Sequence, residues 1–214
     1  PKGGSGTYSY QWVDSSSSQN SWQPVPGATG RSLSFSAPLA DTTYFRRIVT
    51  DPKVAKPDIS FRIAVYVHQA ITNNTISAPD TVCQGNIPAP FVPVGSPGAG
   101  TGTYQYRWLR DEGSGIYSPA AGTNNQSGYV PPAGLDLSTN FARITTSGAC
   151  ADTSEALRVT VFAPISDNII AGNDTICVNT APEQIIQDPE FTLSGGDPDP
   201  TNWRYRWQSG PAMT

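Results

Sequence analysis

The residue types that could do chemistry are few in this chain, and their spacing is poor for it. His68 is the only histidine and stands at the end of an alternating stretch, Phe61–Val67. A nucleophilic device needs a base held in place by a third group. No residue pattern around His68 supplies one, so it reads as a solvated linker residue. The three cysteines, Cys83, Cys150 and Cys177, lack zinc-ligand spacing. Asp197 and Asp199, in Gly195–Pro200, could offer oxygens to calcium. The corresponding stretch Gly98–Gly102 contains no acid, so a plain turn is the better reading. Gly100-Thr101-Gly102 is not followed by a helical pattern, which excludes a phosphate cradle. Trp22, Tyr117 and Tyr129 are aromatics that could bind glycans, although core packing or loop anchoring is the favoured expectation. The chain therefore reads as having no catalytic residue, no metal site and no cofactor, and as not being an enzyme.

Composition alone points to a soluble β-rich protein and says nothing of its activity. The 214 residues include 20 Gly and 20 Pro, with a net charge of −4. Helix interiors tolerate neither Gly nor Pro well, so a mainly helical protein is close to excluded. No apolar run approaches membrane-spanning length, so no membrane insertion is expected of this segment. No basic block could neutralise phosphates, so nucleic acid is not an expected partner. No leader-like segment opens the chain. It starts and stops in mid-pattern and reads as a piece of something longer.

The decisive feature is self-similarity. Thr7-Tyr8-Ser9-Tyr10-Gln11-Trp12 recurs as Thr103-Tyr104-Gln105-Tyr106-Arg107-Trp108, and again as Asn202-Trp203-Arg204-Tyr205-Arg206-Trp207. Thr43–Ile48 recurs as Thr139–Ile144, Phe61–Val65 as Leu157–Val161, and Asp80–Cys83 as Asp174–Cys177. The offsets cluster between 94 and 99, so the unit is domain-sized rather than a short solenoid repeat. The expected organisation is residues 1–69, the C-terminal part of one repeat; 70–163, a complete repeat; and 164–214, the N-terminal part of a third.

Each block alternates apolar and polar residues, as a half-buried strand does. Arg46 and Arg47 break the alternation, so one of them must lie inward along its stem or sit at a strand end. The complete repeat predicts seven strands: near Asn74–Cys83, Phe91–Gly95, Thr103–Arg110, Ile116–Ser118, Gly128–Val130, Asn140–Thr146 and Ala156–Phe162. That number and a central Trp fit an immunoglobulin-like sandwich, with fibronectin-III-like or PKD-like variants open. The fold class is all-β: tandem immunoglobulin-like β-sandwich domains in an extended array. Short linkers, not rich in glycine, make neighbouring repeats of the chain semi-rigid. Cys83 and Cys150 fall in one repeat, and neighbouring first and last strands would allow them to bridge; the alternative is free buried thiols. Cys177 matches Cys83 one repeat on, and Val54 stands where Cys150 would in the first.

The phrase Gly-x-Gly-Thr-Tyr-x-Tyr-x-Trp, with Gly27-Ala28-Thr29, Leu39…Thr43-Tyr44-Phe45-Arg46-Arg47 and Asp80-Thr81-Val82-Cys83-Gln84-Gly85, resembles immunoglobulin-like repeats of very large surface proteins of Bacteroidota. SprB-type gliding adhesins are among these. The resemblance implies export by the type IX secretion system and display outside the cell, attached to the outer membrane. It also implies O-glycosylation at Asp-Thr followed by an apolar residue: Thr81 and Thr175, and more loosely Thr42. Capping of a turn by the Asp is the alternative for those sites. The function it implies is a non-catalytic stalk or spacer in an adhesin filament, serving attachment or gliding, with surface glycans or solid surfaces as partners. A carbohydrate-binding or accessory array on a secreted polysaccharide-degrading enzyme is the alternative.

Overall fold

A computed structural model describes residues 1–77 and 81–210. Among them the regular elements are strands, apart from one 3-10 turn at Pro200–Asn202. The protein is thus nearly all β, in several sheets. No helix among the described residues is long and apolar enough to cross a membrane. Two compact units form: one from Pro1–Ala70 with Ala99–Gly102 and Gly148–Cys150, the other from Ile71–Gly98, Thr103–Ser147 and the chain from Ala151 on.

In the first unit, β1 (Ser9–Ser16), β2 (Gln23–Pro24), β3 (Thr43–Asp51) and β4 (Val54–Ile59) lie in the order β2-β1-β3-β4, with β5 (Ile63–Val65) also on β3. The aromatic ladder strand β1 pairs antiparallel with β3 along its whole length, which sets Trp12 opposite Arg47. The second unit contains β6 (Ile76–Ser77), β7 (Thr81–Cys83), β8 (Val92–Pro93), β9 (Gln105–Asp111), β10 (Ser118–Pro119), β11 (Thr139–Ser147), β12 (Cys150–Thr153, except its first residue) and β13 (Leu157–Phe162). Its larger sheet runs β10-β9-β11-β13-β7, with β12 also paired to β11. Trp108 on β9 faces Arg143 on β11, repeating the cross-strand pair of the first unit.

The leading segment of the second unit, expected as one strand over Asn74–Cys83, serves two sheets. β6 pairs antiparallel with β8, whereas β7 pairs parallel with the last strand, β13. Expected strand Gly128–Val130 reduces to one bridge, in which Phe91 and Tyr129 exchange both backbone bonds at 2.8 and 3.0 Å. This side brings Phe91 and Tyr129 against Trp108, Phe141 and Val159 of the larger sheet. The Phe91 ring lies 4.7 Å from Phe141 and 5.5 Å from Trp108. Two layers meeting through one apolar interior is the packing of a β-sandwich. Aromatic pairs at these distances add to the area they bury.

Three expectations need correction. The first concerns Phe61, read as core-facing: it is 97 % exposed. The β3–β4 hairpin carries a register shift between Val49 and Asp51 and two more residues than its counterpart, so Ile63 rather than Phe61 takes the place of Leu157. The second concerns the third ladder, Asn202–Trp207, which forms no strand and leaves Tyr205 and Trp207 exposed. β1 and β9 are each satisfied by a neighbouring Arg-bearing strand, and a lone strand has nowhere to place its backbone bonds. The third concerns the Cys83–Cys150 bridge: all three cysteines are free. Register sets Cys83 opposite Phe162, beyond the Thr139 end of β11, while Cys150 comes only after Ser147 at its other end. A nine-residue strand spans roughly 30 Å, and a disulfide needs Cα atoms within about 7 Å.

Residues 164–210 contribute a smaller ribbon, β14 (Ile170–Ala171) with β15 (Ile186–Gln187). It repeats the β6–β8 register, and the Ser166–Ser194 bridge repeats Thr72–Gly98. Asn73 and Asp167, each just before the matching asparagine, share a left-handed backbone with φ of 57° and 60°.

Because Trp108 is wholly buried and Trp12 only partly so, Trp108→Ala should lower the stability of the second unit by about 3–5 kcal/mol. Trp12→Ala should cost the first unit clearly less. Chemical denaturation followed by far-UV circular dichroism measures both.

Candidate functional site

Among the described residues, a buried cluster of polar side chains surrounds Arg143. Its side chain is fully buried in mid-strand, so the inward arginine is the second of the Arg-Arg pair and not one at a strand end. The Nε donates to Asn74 Oδ1 at 3.0 Å, one terminal nitrogen to the Ser127 carbonyl at 2.6 Å and the other to the Thr75 carbonyl at 3.4 Å. The guanidinium lies 5.2 Å from the Tyr106 ring and 5.9 Å from that of Trp108. A planar cation over aromatic faces gains electrostatically while keeping its edge donors free. Burial lowers the pKa of Arg143 from its usual value, with Tyr106 acting in the opposite direction.

Asn74 is the hub of this cluster. Its Oδ1 also accepts from Thr145 Oγ1 at 2.7 Å, and its Nδ2 donates to the carbonyls of Arg143 and Asp152 at 3.2 and 3.1 Å. One carboxamide thus ties the leading segment to β11 and β12. Sequence reading passed over Asn74, although its recurrence as Asn168 in Ile165-Ser166-Asp167-Asn168 is a usable signal.

Much of the network recurs in the first unit. Arg47 donates to the Arg31 carbonyl at 2.6 Å and faces Tyr10 and Trp12 at 5.3 and 5.7 Å. Both arginine backbone nitrogens donate to a serine, Ser60 or Ser154, at 2.9 Å. Thr43 and Thr139 both donate their hydroxyls to a carbonyl two residues earlier at 2.8 Å. One bond is missing: Arg47 Nε is buried without a partner. Arg46 points the other way and stacks 4.4 Å over Trp22.

The remaining candidates do not converge. His68 is exposed, and its carbonyl and that of Gln69 lie 3.9 and 3.8 Å from the Cys150 thiol. Asp197 accepts from the Asp199 backbone and from Asn202, and Asp199 accepts from Thr201, so this loop closes on itself as a turn. No group of three metal-ligating side chains assembles among the described residues. Tyr129 belongs to the core, with its hydroxyl donating to Ala121 at 2.9 Å, whereas Tyr117 is partly exposed. Thr81 and Thr175 are exposed, with Asp80, the residue before Thr81, outside the described residues. Thr42 is partly buried, and its hydroxyl accepts from the Val67 backbone at 3.0 Å, as Ser138 does from Val161. An open cavity of about 740 Å³ is lined by Ile165, Asn168, Ile170, Leu193 and the unpaired ladder residues Tyr205 and Trp207, among others.

Asp111 organises the turn after β9. Its Oδ1 accepts from the backbones of Gly113, Ser114 and Gly115 and from the Ser114 hydroxyl at 2.8–3.2 Å. The Ser114 hydroxyl is the main cause of its lowered pKa, opposed by burial and aided by Asn140 and the loop amides.

Against known families, residues 1–69 and again 72–163 match one model, described as a domain of unknown function (DUF8696). No curated protein matches the chain.

Two outcomes follow from this geometry. Asn74→Ala strands a buried guanidinium donor and a threonine hydroxyl, so it should destabilise the second unit by about 2–4 kcal/mol in a denaturant titration. For Asp111 the folded pKa lies below the ordinary 3.8. Its contribution is complete above 3.8 and fades as pH falls through the lower folded value. Acid unfolding followed by tryptophan fluorescence should therefore be flatter in Asp111→Asn than in the parent.

Proposed function

On the premise that the chain belongs to this family, in two tandem copies, we propose that it is a non-catalytic stalk segment of a secreted cell-surface adhesin filament. The observation that carries the proposal is the use made of the recurring polar side chains. Arg47 and Arg143, Ser60 and Ser154, and Thr42 and Ser138 spend hydrogen bonds joining one backbone segment to another, and Thr43 and Thr139 each fix the turn that leads into their strand. What recurs between the units in these side chains is framework bonding.

The units are read as immunoglobulin-like sandwiches in an extended array, joined by short semi-rigid linkers. The parallel pairing of β7 with β13 supports a load-bearing role. In a parallel pair the chain enters at one end and leaves at the other, so tension shears the interstrand bonds together. Adhesin repeats of Bacteroidota, exported by the type IX system and attached at the outer membrane, are the class the sequence resembles. Thr81 and Thr175 are the exposed positions for sugar. Distal contacts to glycans or solid surfaces then gain from many copies held at reach.

The test is small-angle scattering on chains with increasing repeat number, with glycan-panel binding of the 214-residue chain alongside. Length should grow by roughly 30–40 Å per repeat, with no glycan retained. A particle that stays compact as repeats are added would contradict the stalk. Selective retention of a polysaccharide would favour the carbohydrate-binding array.

A further inference from the structure

The register that keeps Cys83 and Cys150 apart places one of them at each end of β11, and each lies on a linker that joins one repeat to the next. Where the chain leaves the complete repeat, Cys83 stands opposite Phe162 in the parallel pair of β7 and β13. The amide of the next residue, Gln84, donates to the Phe162 carbonyl at 2.8 Å. Where the chain enters the repeat, the Cys150 thiol sits 3.9 Å from the His68 carbonyl and 3.8 Å from that of Gln69. Cys83 is exposed and Cys150 is half-buried.

The two linkers correspond residue by residue: His68 and Gln69 of one are Phe162 and Ala163 of the other, at an offset of 94. Hydrogen bonds on both sides fix that correspondence. Before the linker, Val67 donates to Thr42 as Val161 does to Ser138, both at 3.0 Å. After it, Gly100 donates to the Gln69 carbonyl at 3.0 Å and Gly196 to the Ala163 carbonyl at 2.8 Å. The Thr72–Gly98 bridge likewise recurs as Ser166–Ser194. A complete repeat following Ala163 in this way brings its own Cys150 position onto the carbonyls of Phe162 and Ala163. Cys83 of the preceding repeat is already beside that site, because Gln84 is bonded to the same Phe162 oxygen. A disulfide needs Cα atoms within about 7 Å, a separation open to two residues gathered on one carbonyl. The bridge that register forbids within one repeat is thus open between two. Cys83 recurs as Cys177, whereas the position of Cys150 is filled by Val54 in residues 1–69, so the pair belongs to particular junctions.

We propose that Cys83 and Cys150 are halves of disulfides between consecutive repeats, with Cys83 of one repeat bonded to the Cys150 position of the repeat that follows. The bond forms by exchange with a low-molecular-weight disulfide. One cysteine thiolate attacks it, releasing one small thiol and leaving a mixed disulfide, and the second cysteine thiolate then displaces the other small thiol. Two protein thiols are oxidised, one small disulfide is reduced to two thiols, and the protons pass to the released thiols. The product ties β7, the parallel partner of β13, to the next repeat and fixes the linker between them. The proposal rests on the recurrence of the linker and does not require the adhesin reading, since the oxidant can be supplied in solution.

A chain lengthened by one complete repeat tests it: residues 1–163 followed directly by residues 70–214, which keeps the linker spacing. After equilibration with oxidised glutathione at low protein concentration, a non-reduced peptide map should show the Cys83 peptide joined to the Cys150 peptide. The 214-residue chain, treated alike, should show no such link. Cys83→Ser, Cys150→Ser and Cys177→Ser then locate the bond. A variant keeping only Cys83 of the first copy and Cys150 of the second should lose both thiols, and two hydrogens in intact mass. Variants keeping Cys150 of the first copy and Cys83 of the second, or both cysteines of one copy, should retain free or singly glutathionylated thiols. A lengthened chain that folds, by far-UV circular dichroism, and forms no Cys83–Cys150 link would overturn the proposal. So would equal bridging in the other two variants. Failure of the stalk reading would appear instead in the scattering length, which this measurement leaves untouched.

Discussion

A guanidinium withdrawn from water is the constraint on which the second unit depends. Removing a cation from solvent is costly unless its donors are satisfied and its faces lie against polarisable groups. Arg143 meets both conditions, with acceptors from Asn74, Thr75 and Ser127 at its edge and Tyr106 and Trp108 at its face. Those acceptors lie far apart along the chain. The arginine is therefore satisfied only when the leading segment, the loop before Tyr129 and the ladder strand are all in place. Apolar packing of Phe91, Trp108 and Phe141 supplies the cohesion, and the arginine supplies the condition that only one arrangement fulfils.

The same device gives the ladder its form. Tyr and Trp occupy alternate positions of β1 and β9, and each neighbouring strand brings an arginine opposite the Trp. In both units the Trp indole nitrogen donates to a loop carbonyl, of Gly30 at 3.0 Å or Gln126 at 2.9 Å. Polar atoms are thereby drawn into the framework instead of being left for a ligand.

How much of this is legible in sequence depends on the range of the interaction. The alternation in Tyr8–Trp12 and Tyr104–Trp108 is local, and it identifies the ladder strands and their inward face. The conflict between Arg46 and Arg47 is local too, and it requires an inward arginine. Which of the two turns inward is decided by cross-strand register, which no local pattern contains. Asn74 escapes notice because its partner Arg143 lies 69 residues away. The Cys83–Cys150 pairing fails for the same reason: nearness of first and last strands is a matter of topology, but the end of the sheet at which each cysteine falls is a matter of register. The block at Asn202–Trp207 has the ladder pattern and still forms no strand, since pattern proposes a face and pairing makes the strand.

The most direct test of this account is hydrogen exchange at arginine side chains, read by NMR in the intact chain. The account predicts that the Nε–H of Arg143 is strongly protected and exchanges only when the second unit opens, whereas that of exposed Arg158 exchanges freely. An Arg143 Nε–H exchanging as fast as that of Arg158 would contradict it, because the guanidinium would then be reaching water and not closing the interior.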